Sequence, residues 1–291
     1  MSELNPYFEK VVVITGASSG FGCQASLELA RRGAHVVLAA RSEQTLHELA
    51  SQCEMQDGGC AALAVPTDVS RREDVQQLFE MARRRFGKID AWINNAGVGV
   101  IGRFDEVPIE DHEQVIRTDL LGTLYGSYEA LRYFRRTGVG VLINVASVVG
   151  KIPAPLYTSY VAAKFGVVGF SDALRQELKA EGVDRIHVCT VMPMAHTTEF
   201  FEHAGNYSGR ESTPIPPVYD PKVTVDKLVQ LVVEPEDEVI TGWQGPVFNT
   251  FHKLLPGAVE KLMSARTQKT QLEDAEPMLA TSGTIHEPSS A

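Results

Sequence analysis

A run of short apolar segments, rich in β-branched residues, sets the strongest limit on what this chain can fold into. They are VVVIT (11–15), HVVLAA (35–40), AALAVP (61–66), IDAWI (89–93), VGVLINVA (139–146) and RIHVCTVM (185–192). Between them lie segments whose apolar residues recur at helical spacing, such as GCQASLELARRG, EQTLHELASQ, EDVQQLFEMARRRFG and FSDALRQELKAEG. Strands joined through helices run parallel, and a parallel sheet needs cover on both faces. The pattern therefore predicts an α/β chain, a doubly wound parallel sheet with helices on both faces. Ser70 and Glu73 in SRRED predict a capping box for the helix after the third strand, while Gly33, Gly87 and Gly182 stand where helices should stop. No Ser/Gly or Pro-rich linker divides the first 195 residues, so residues 1–265 read as one domain.

Beyond Pro193 the alternation weakens. Residues 194–221, MAHTTEFFEHAGNYSGRESTPIPPVYDP, are rich in Gly, Pro and aromatic residues and read as a substrate loop or lid, with a plain surface crossing as the alternative. A helix resumes at PKVTVDKLVQLVV, then a short strand near EVITGW and an apolar helical stretch to about Arg266. Residues 266–291 have little apolar periodicity and are expected to be a disordered tail. The stretch 243–263 could serve as a membrane-surface or partner helix, but its few cations and two prolines favour lid or subunit packing.

Composition narrows the function. Of 291 residues 44% are hydrophobic and 22% charged, and 27 basic against 37 acidic residues give a formal charge of −10. That balance argues against a nucleic-acid partner and against attraction to anionic membranes. The cysteines (Cys23, Cys53, Cys60, Cys189) lack CxxC spacing and the histidines form no ligand motif, so neither a metal site nor a disulfide framework is expected. The opening residues carry no basic-then-apolar signal, and no run of about 18 apolar residues occurs. A cytoplasmic protein without stable membrane insertion, acting on a small molecule, is the expectation.

The first strand runs into Gly16, Gly20 and Gly22 in TGASSGFG and then a helix. Glycines there allow a sharp turn and close approach of a ligand, and the helix N-terminus offers unpaired N–H groups to a phosphate. A dinucleotide pyrophosphate site is favoured over a plain strand-to-helix turn. Further on, SYVAAK puts Tyr160 and Lys164 four apart, side by side on one helix face.

TGxxxGxG, NNAG at 94–97, Ser147 after the fifth strand, and Tyr160 and Lys164 beyond it occur in one order that resembles the short-chain dehydrogenase/reductase family over residues 8–195. The resemblance implies a single Rossmann-type domain that binds NAD(H) or NADP(H) and moves a hydride between the nicotinamide and a carbonyl or alcohol. Tyr160 would be the acid or base. Lys164 would favour its ionised form and hold the nicotinamide ribose, and Ser147 would donate to the carbonyl oxygen. Gly16, Ser18, Ser19, Gly20, Phe21 and Gly22 would surround the cofactor phosphates. Asp68, Val69, Asn95, Ala96 and Gly97 would line the adenosine side, and Pro193 and Thr198 would contact the carboxamide. Asn94 would line the adenine-ribose side as well, or serve mainly to tie strands together. Taken singly, each catalytic candidate has a plainer reading: a half-buried tyrosine, a solvated lysine, a turn serine.

Cofactor choice turns on the end of the second strand, where LAARSEQ has Ala40 and Arg41 where an acid would favour NAD. A guanidinium fork suits a 2′-phosphate, so NADP(H) is preferred over NAD(H), with an exposed arginine beside the helix cap Ser42 as the alternative. Relatives assemble through the long helices, implying a homodimer or homotetramer. Two positions depart from the family's pattern: Asp119 in RTDLLG stands where asparagine is usual, and Met194 follows Pro193 where glycine is usual. Asp119 near Lys164 would weaken the lysine's hold on the tyrosine proton, raising the Tyr160 pKa. The rival reading is a non-catalytic NADP(H)-binding sensor or scaffold, its turnover weakened by Asp119. Met194, Phe200, Phe201 and Tyr207 near the expected pocket mouth suggest a substrate of modest polarity, with simple loop packing as the alternative.

Overall fold

The computed structural model describes residues 5–242 and 254–288. The main sheet is built from β1 (Val11–Thr15), β2 (His35–Ala40), β3 (Ala62–Pro66), β4 (Ala91–Asn94), β5 (Gly140–Val145), β6 (Ile186–Pro193) and β7 (Glu238–Thr241). Its order is β7-β6-β5-β4-β1-β2-β3, with every neighbouring pair parallel. The chain winds outward from β1 to β3, then crosses back to β4 and winds the other way. That reversal between β1 and β4 opens a crevice at the carboxyl ends of the strands.

Alternation along the strands divides the apolar residues between two cores. Val12, Ile14, Val36 and Leu38 face α1 (Gly20–Arg31), α2 (Glu43–Glu54) and α8 (Pro221–Leu231), meeting Leu29, Leu46 and Leu228. Val11, Val13, Val37 and Trp92 face the other way, toward Leu78 of α3 (Arg72–Phe86), Phe134 of α5 (Gly122–Thr137) and Leu178 of α6 (Thr158–Ala180). Each such side chain contributes about 2 kcal/mol by burial, so packing on the two faces outweighs local helix propensity.

Gly33, Gly87 and Gly182 follow helices with φ of +87°, +75° and +68°, left-handed values that stop a helix without a Cβ clash. The predicted capping box does not form. Arg71 is the N-cap of α3, so Ser70 lies one residue before the capping position, and its hydroxyl donates to Asp68 Oδ1 at 2.7 Å. Ahead of α5, α4 (Ile109–Ile116) passes through a π turn at Arg117–Leu121.

Residues 194–221 hold α7 (Phe200–His203) and two short pairings: Ala195–His196 with Val218–Tyr219, and Gly205–Asn206 with Val100–Ile101. The final helix, α9 (Pro256–Gln268), continues into a π turn at Lys269–Glu273. Through residue 288 the disordered tail expected over 266–291 is replaced by packed chain. Asn206 pairs with Thr281, Arg210 with Pro277, and Ile285 is wholly buried. The segment lacks periodicity because it is held by backbone bonds and one apolar anchor rather than by a regular face. Of the apolar stretch 243–263, residues 243–253 lie outside the described residues. Among the described residues no helix is long and apolar enough to cross a membrane.

Candidate active site

The crevice between β1 and β4 widens into a cavity of about 550 Å³ whose wall includes the glycine loop, Arg41, Asp68, Ser147, Tyr160, Lys164 and the first residues of the 194–221 segment. Gly16 and Gly20 adopt φ of +66° and +53°, which other residues rarely take. A Cβ on Gly22 would lie 2.2 Å from the Gly16 carbonyl oxygen, and one on Gly16 would lie 2.7 Å from Ala96 Cα, so the loop is drawn tightly against β4. Ser19 is the N-cap of α1, its hydroxyl makes no cap bond, and the first turn carries no acid. An anion there meets free N–H groups and no repulsion. Asn95 ties the arrangement together, donating to the carbonyls of Thr15 and Gly16 at 3.0 and 3.1 Å. Its neighbour Asn94 is buried and donates to Asn144 Oδ1 at 2.9 Å, stitching β4 to β5.

Tyr160 and Lys164 project from the first turns of α6 toward the end of β5, where Ser147 follows the strand. The small Val161, Ala162 and Ala163 between them, and Gly166 on the same helix, let α6 lie close; a Cβ on Gly166 would meet Leu120 at 2.9 Å. The Lys164 ammonium sits 5.4 Å from the centre of the Tyr160 ring, donates to the Val145 carbonyl at 3.2 Å, and lies 3.0 Å from Asp119 Oδ2. Asp119 is delivered by the π turn, a device often found at functional positions. Its Oδ1 accepts from the Val98 N–H at 2.8 Å. Gly97 must be small, since a Cβ there would lie 3.0 Å from Asp119 Oδ2 and 3.3 Å from Lys164 Nζ.

The electrostatics follow from burial. Asp119 and the Lys164 side chain are 0% and 4% exposed. Burial pushes the Asp119 carboxyl above the usual carboxylate range against the pull of Lys164. For Lys164 burial disfavours the ammonium, but Asp119 and Tyr160 outweigh it and hold the pKa above its ordinary value. The Tyr160 phenol is raised, first by burial; Lys164 and Ser147 favour the phenolate, and Asp119 opposes them. Ser147 also caps the short turn after β5, accepting from Val149 N and donating to the Pro193 carbonyl, both at 3.4 Å. Those bonds are long enough to yield to a better partner.

Pro193, Met194 and Thr198 line the same cavity, with Met194 N bonded to the Thr241 carbonyl at 3.2 Å. Phe21 is also on the wall, edge-on to His196 at 5.1 Å. Ser18, Val69, Ala96 and Gly97 complete that side. Asp68 is less free than its position after β3 implies, because Oδ1 accepts from both the backbone N–H and the hydroxyl of Ser70. Arg41 reaches the cavity, but its guanidinium donates to the carbonyls of Thr284 and Ile285.

Two wall residues were not among the sequence candidates. His196 is buried, with Nδ1 near the carbonyls of Tyr219 and Asp220 and Nε2 3.0 Å from the Thr224 hydroxyl, and burial keeps its pKa below the ordinary value. It lies in the 194–221 segment, where the chain pattern gave no side-chain direction. Tyr157 stands one turn before Tyr160, 5% exposed, and its hydroxyl has no hydrogen-bond partner among the described residues. Its spacing of three from Tyr160 is the one signal that could have marked it.

Comparison with known proteins agrees with this geometry. Residues 10–207 match the short chain dehydrogenase family. An uncharacterized oxidoreductase of Bacillus subtilis is 33% identical over 257 residues, covering 88% of this chain and 71% of the relative. A 3beta-hydroxysteroid dehydrogenase of Eggerthella lenta is 38% identical over 192 residues, 65% of this chain and 71% of that protein. Among solved structures, an alcohol dehydrogenase from Thermococcus sibiricus complexed with 5-hydroxy-NADP superposes with a TM-score of 0.68 at 26% identity, covering 80% of this chain and 95% of that one. A 3-ketoacyl-(acyl-carrier-protein) reductase from Brucella melitensis complexed with NADH gives 0.70 at 28%, covering 82% and 99%. The ordered motifs, the sheet reversal that opens the crevice and these matches converge: the chain belongs to the short chain dehydrogenase family and is an oxidoreductase of the dehydrogenase/reductase kind.

Proposed function

We propose that this protein reduces a carbonyl, or oxidises a secondary alcohol, on an apolar small molecule, using a nicotinamide cofactor with NADP(H) preferred over NAD(H). One observation carries the reading: the glycine loop and the Ser147, Tyr160 and Lys164 side chains line a single cavity. The left-handed glycines, the close approach that Gly22 allows and the acid-free helix start fit a dinucleotide phosphate. When bound, the cofactor supplies or accepts the hydride. Gly16, Ser18, Ser19, Gly20, Phe21 and Gly22 would hold its phosphates, and Arg41 a 2′-phosphate. Asp68, Val69, Asn95, Ala96 and Gly97 would hold the adenosine side, with Pro193 and Thr198 at the other end.

Tyr160 Oη holds the proton that the substrate oxygen takes up in reduction, and receives it in oxidation. Lys164 lowers the cost of the resulting phenolate, and the Val145 carbonyl keeps its ammonium in place. The Ser147 hydroxyl turns from the Pro193 carbonyl to the substrate oxygen, where charge develops. Ile152, Ala154, Phe201, Ile215 and Met263 make the outer wall apolar, which favours a hydrophobic substrate and excludes water. The exposed Tyr128 on α5 and Phe165 on α6 support a homodimer or homotetramer built on those helices.

The test follows cofactor oxidation with NADPH and with NADH over a panel of apolar ketones, diketones, sugars and acyl thioesters. Turnover on apolar ketones, reduced at least about 100-fold in Tyr160→Phe with NADPH affinity intact, is expected. The buried Asp119 against Lys164 favours the second reading, a cofactor-binding sensor. NADPH binding without turnover on any substrate would select it.

A further inference from the structure

The C-terminal segment is anchored across the groove at successive points. Met278 N donates to the Gly209 carbonyl at 3.1 Å, Asn206 and Thr281 exchange backbone bonds of 2.7 and 3.0 Å, and Thr284 N donates to the His203 carbonyl at 2.8 Å. Ile285 is wholly buried among Val100, Val107 and Val115, so close to Gly205 that a Cβ there would lie 2.5 Å from Ile285 Cδ1. His286 Nε2 is 2.7 Å from Asp111 Oδ1, and the other oxygen of Asp111 accepts from the Tyr207 hydroxyl at 2.6 Å. One acid on α4 thus holds both the lid and the C-terminal segment.

From that anchorage the backbone turns its carbonyls onto Arg41. Nη1 donates to Ile285 O at 3.0 Å, and Nη2 to Thr284 O and, at 3.5 Å, to Glu287 O. Oxygens gathered around one guanidinium fork imitate the oxygens of a phosphate. They carry no net charge, so a real phosphate is the stronger partner. Thr284 and Pro288 line the same cavity as Gly16 and Arg41, which places this segment inside the cofactor groove.

We infer that residues 281–288 form a displaceable strap that selects the cofactor, its carbonyls competing with the 2′-phosphate of NADP(H) for Arg41. This rests on the proposed use of a nicotinamide cofactor. NADP(H) expels the strap and thereby loosens residues 203–209 of the lid, whereas NAD(H) leaves the strap docked. While docked, the strap lowers the apparent affinity for NADP(H) in proportion to its occupancy.

Hydrogen exchange on the full chain tests this directly. Saturating NADP+ is expected to speed amide exchange in 281–288 and 203–209, and saturating NAD+ to leave it unchanged; protection that NADP+ leaves unaltered or increases overturns the inference. His286→Ala, which cuts an exposed-side tether, and Ile285→Ser, which removes the anchor, are expected to tighten NADP+ binding by about fivefold with NAD+ altered less than about twofold. Unchanged NADP+ affinity in a folded His286→Ala protein also overturns it. The cofactor reading fails separately: Arg41→Ala would then weaken NADP+ and NAD+ equally. If Arg41→Ala is selective for NADP+ while exchange stays fixed, the strap alone is wrong.

Discussion

The two ends of the groove are built differently. At the catalytic end Tyr160, Lys164 and Ser147 stand on α6 and just past β5, and the ion pair beneath them is almost wholly buried. At the adenosine end Arg41 follows β2, yet its partners come from a segment more than 240 residues later, through backbone carbonyls at a half-buried position. The first end is fixed by regular elements and a low-dielectric ion pair. The second is closed by a segment held by backbone bonds and by Ile285 in a small apolar cluster apart from the two main cores. On the proposed reading the proton moves at the end fixed by regular elements and the cofactor enters at the end closed by a loop segment, in line with the general division between scaffolds and loops.

Changes at the catalytic end are expected to cost both folding and chemistry. Lys164→Met leaves the Asp119 carboxyl buried without its cation. Thermal or urea unfolding should show a loss of about 3 kcal/mol, together with a fall in kcat/KM of more than about 100-fold. A variant as stable as the parent would break the contrast. Arg41→Ala should do the opposite, leaving stability within about 0.5 kcal/mol and kcat nearly unchanged while raising the NADPH KM about tenfold and that for NADH little. Equal effects on the two cofactors would remove the adenosine end from cofactor selection.

The smallest expected effect sharpens the catalytic end alone. Asp119 opposes the phenolate of Tyr160, so Asp119→Asn lowers the tyrosine pKa. Oxidation needs the phenolate and rises through that pKa, while reduction needs the phenol and falls above it. Both limbs should therefore move to lower pH. A pH profile that stays put would show that burial alone sets the tyrosine.

Much of this was legible in the chain itself. VVVIT leading into TGASSGFG, and SYVAAK beyond Ser147, are local patterns whose meaning depends on periodicity and spacing that the fold preserves. The contact between Asp119 and Lys164 was readable only as proximity; that the carboxylate arrives on a π turn, 3.0 Å from the ammonium, was not. Ser70 shows how a local rule fails: the cap pattern was present, but the helix starts one residue later and Asp68 holds Ser70 in a turn ahead of it. The C-terminal segment was misread for a related reason. Its order comes from pairing with 203–211 and from one isoleucine, and a sequence pattern reports side-chain periodicity, not the destination of carbonyl groups.

By itself the sequence determined the doubly wound sheet, the glycine turn after β1 and the placing of Tyr160 and Lys164 one turn apart on a helix, because repeated local preferences and short-range spacing specify them. Only the tertiary structure decided what surrounds those groups. The burial that raises Tyr160, the acid held against Lys164 and the carbonyls laid on Arg41 all join residues far apart in the chain, and such contacts exist only once the layers have packed.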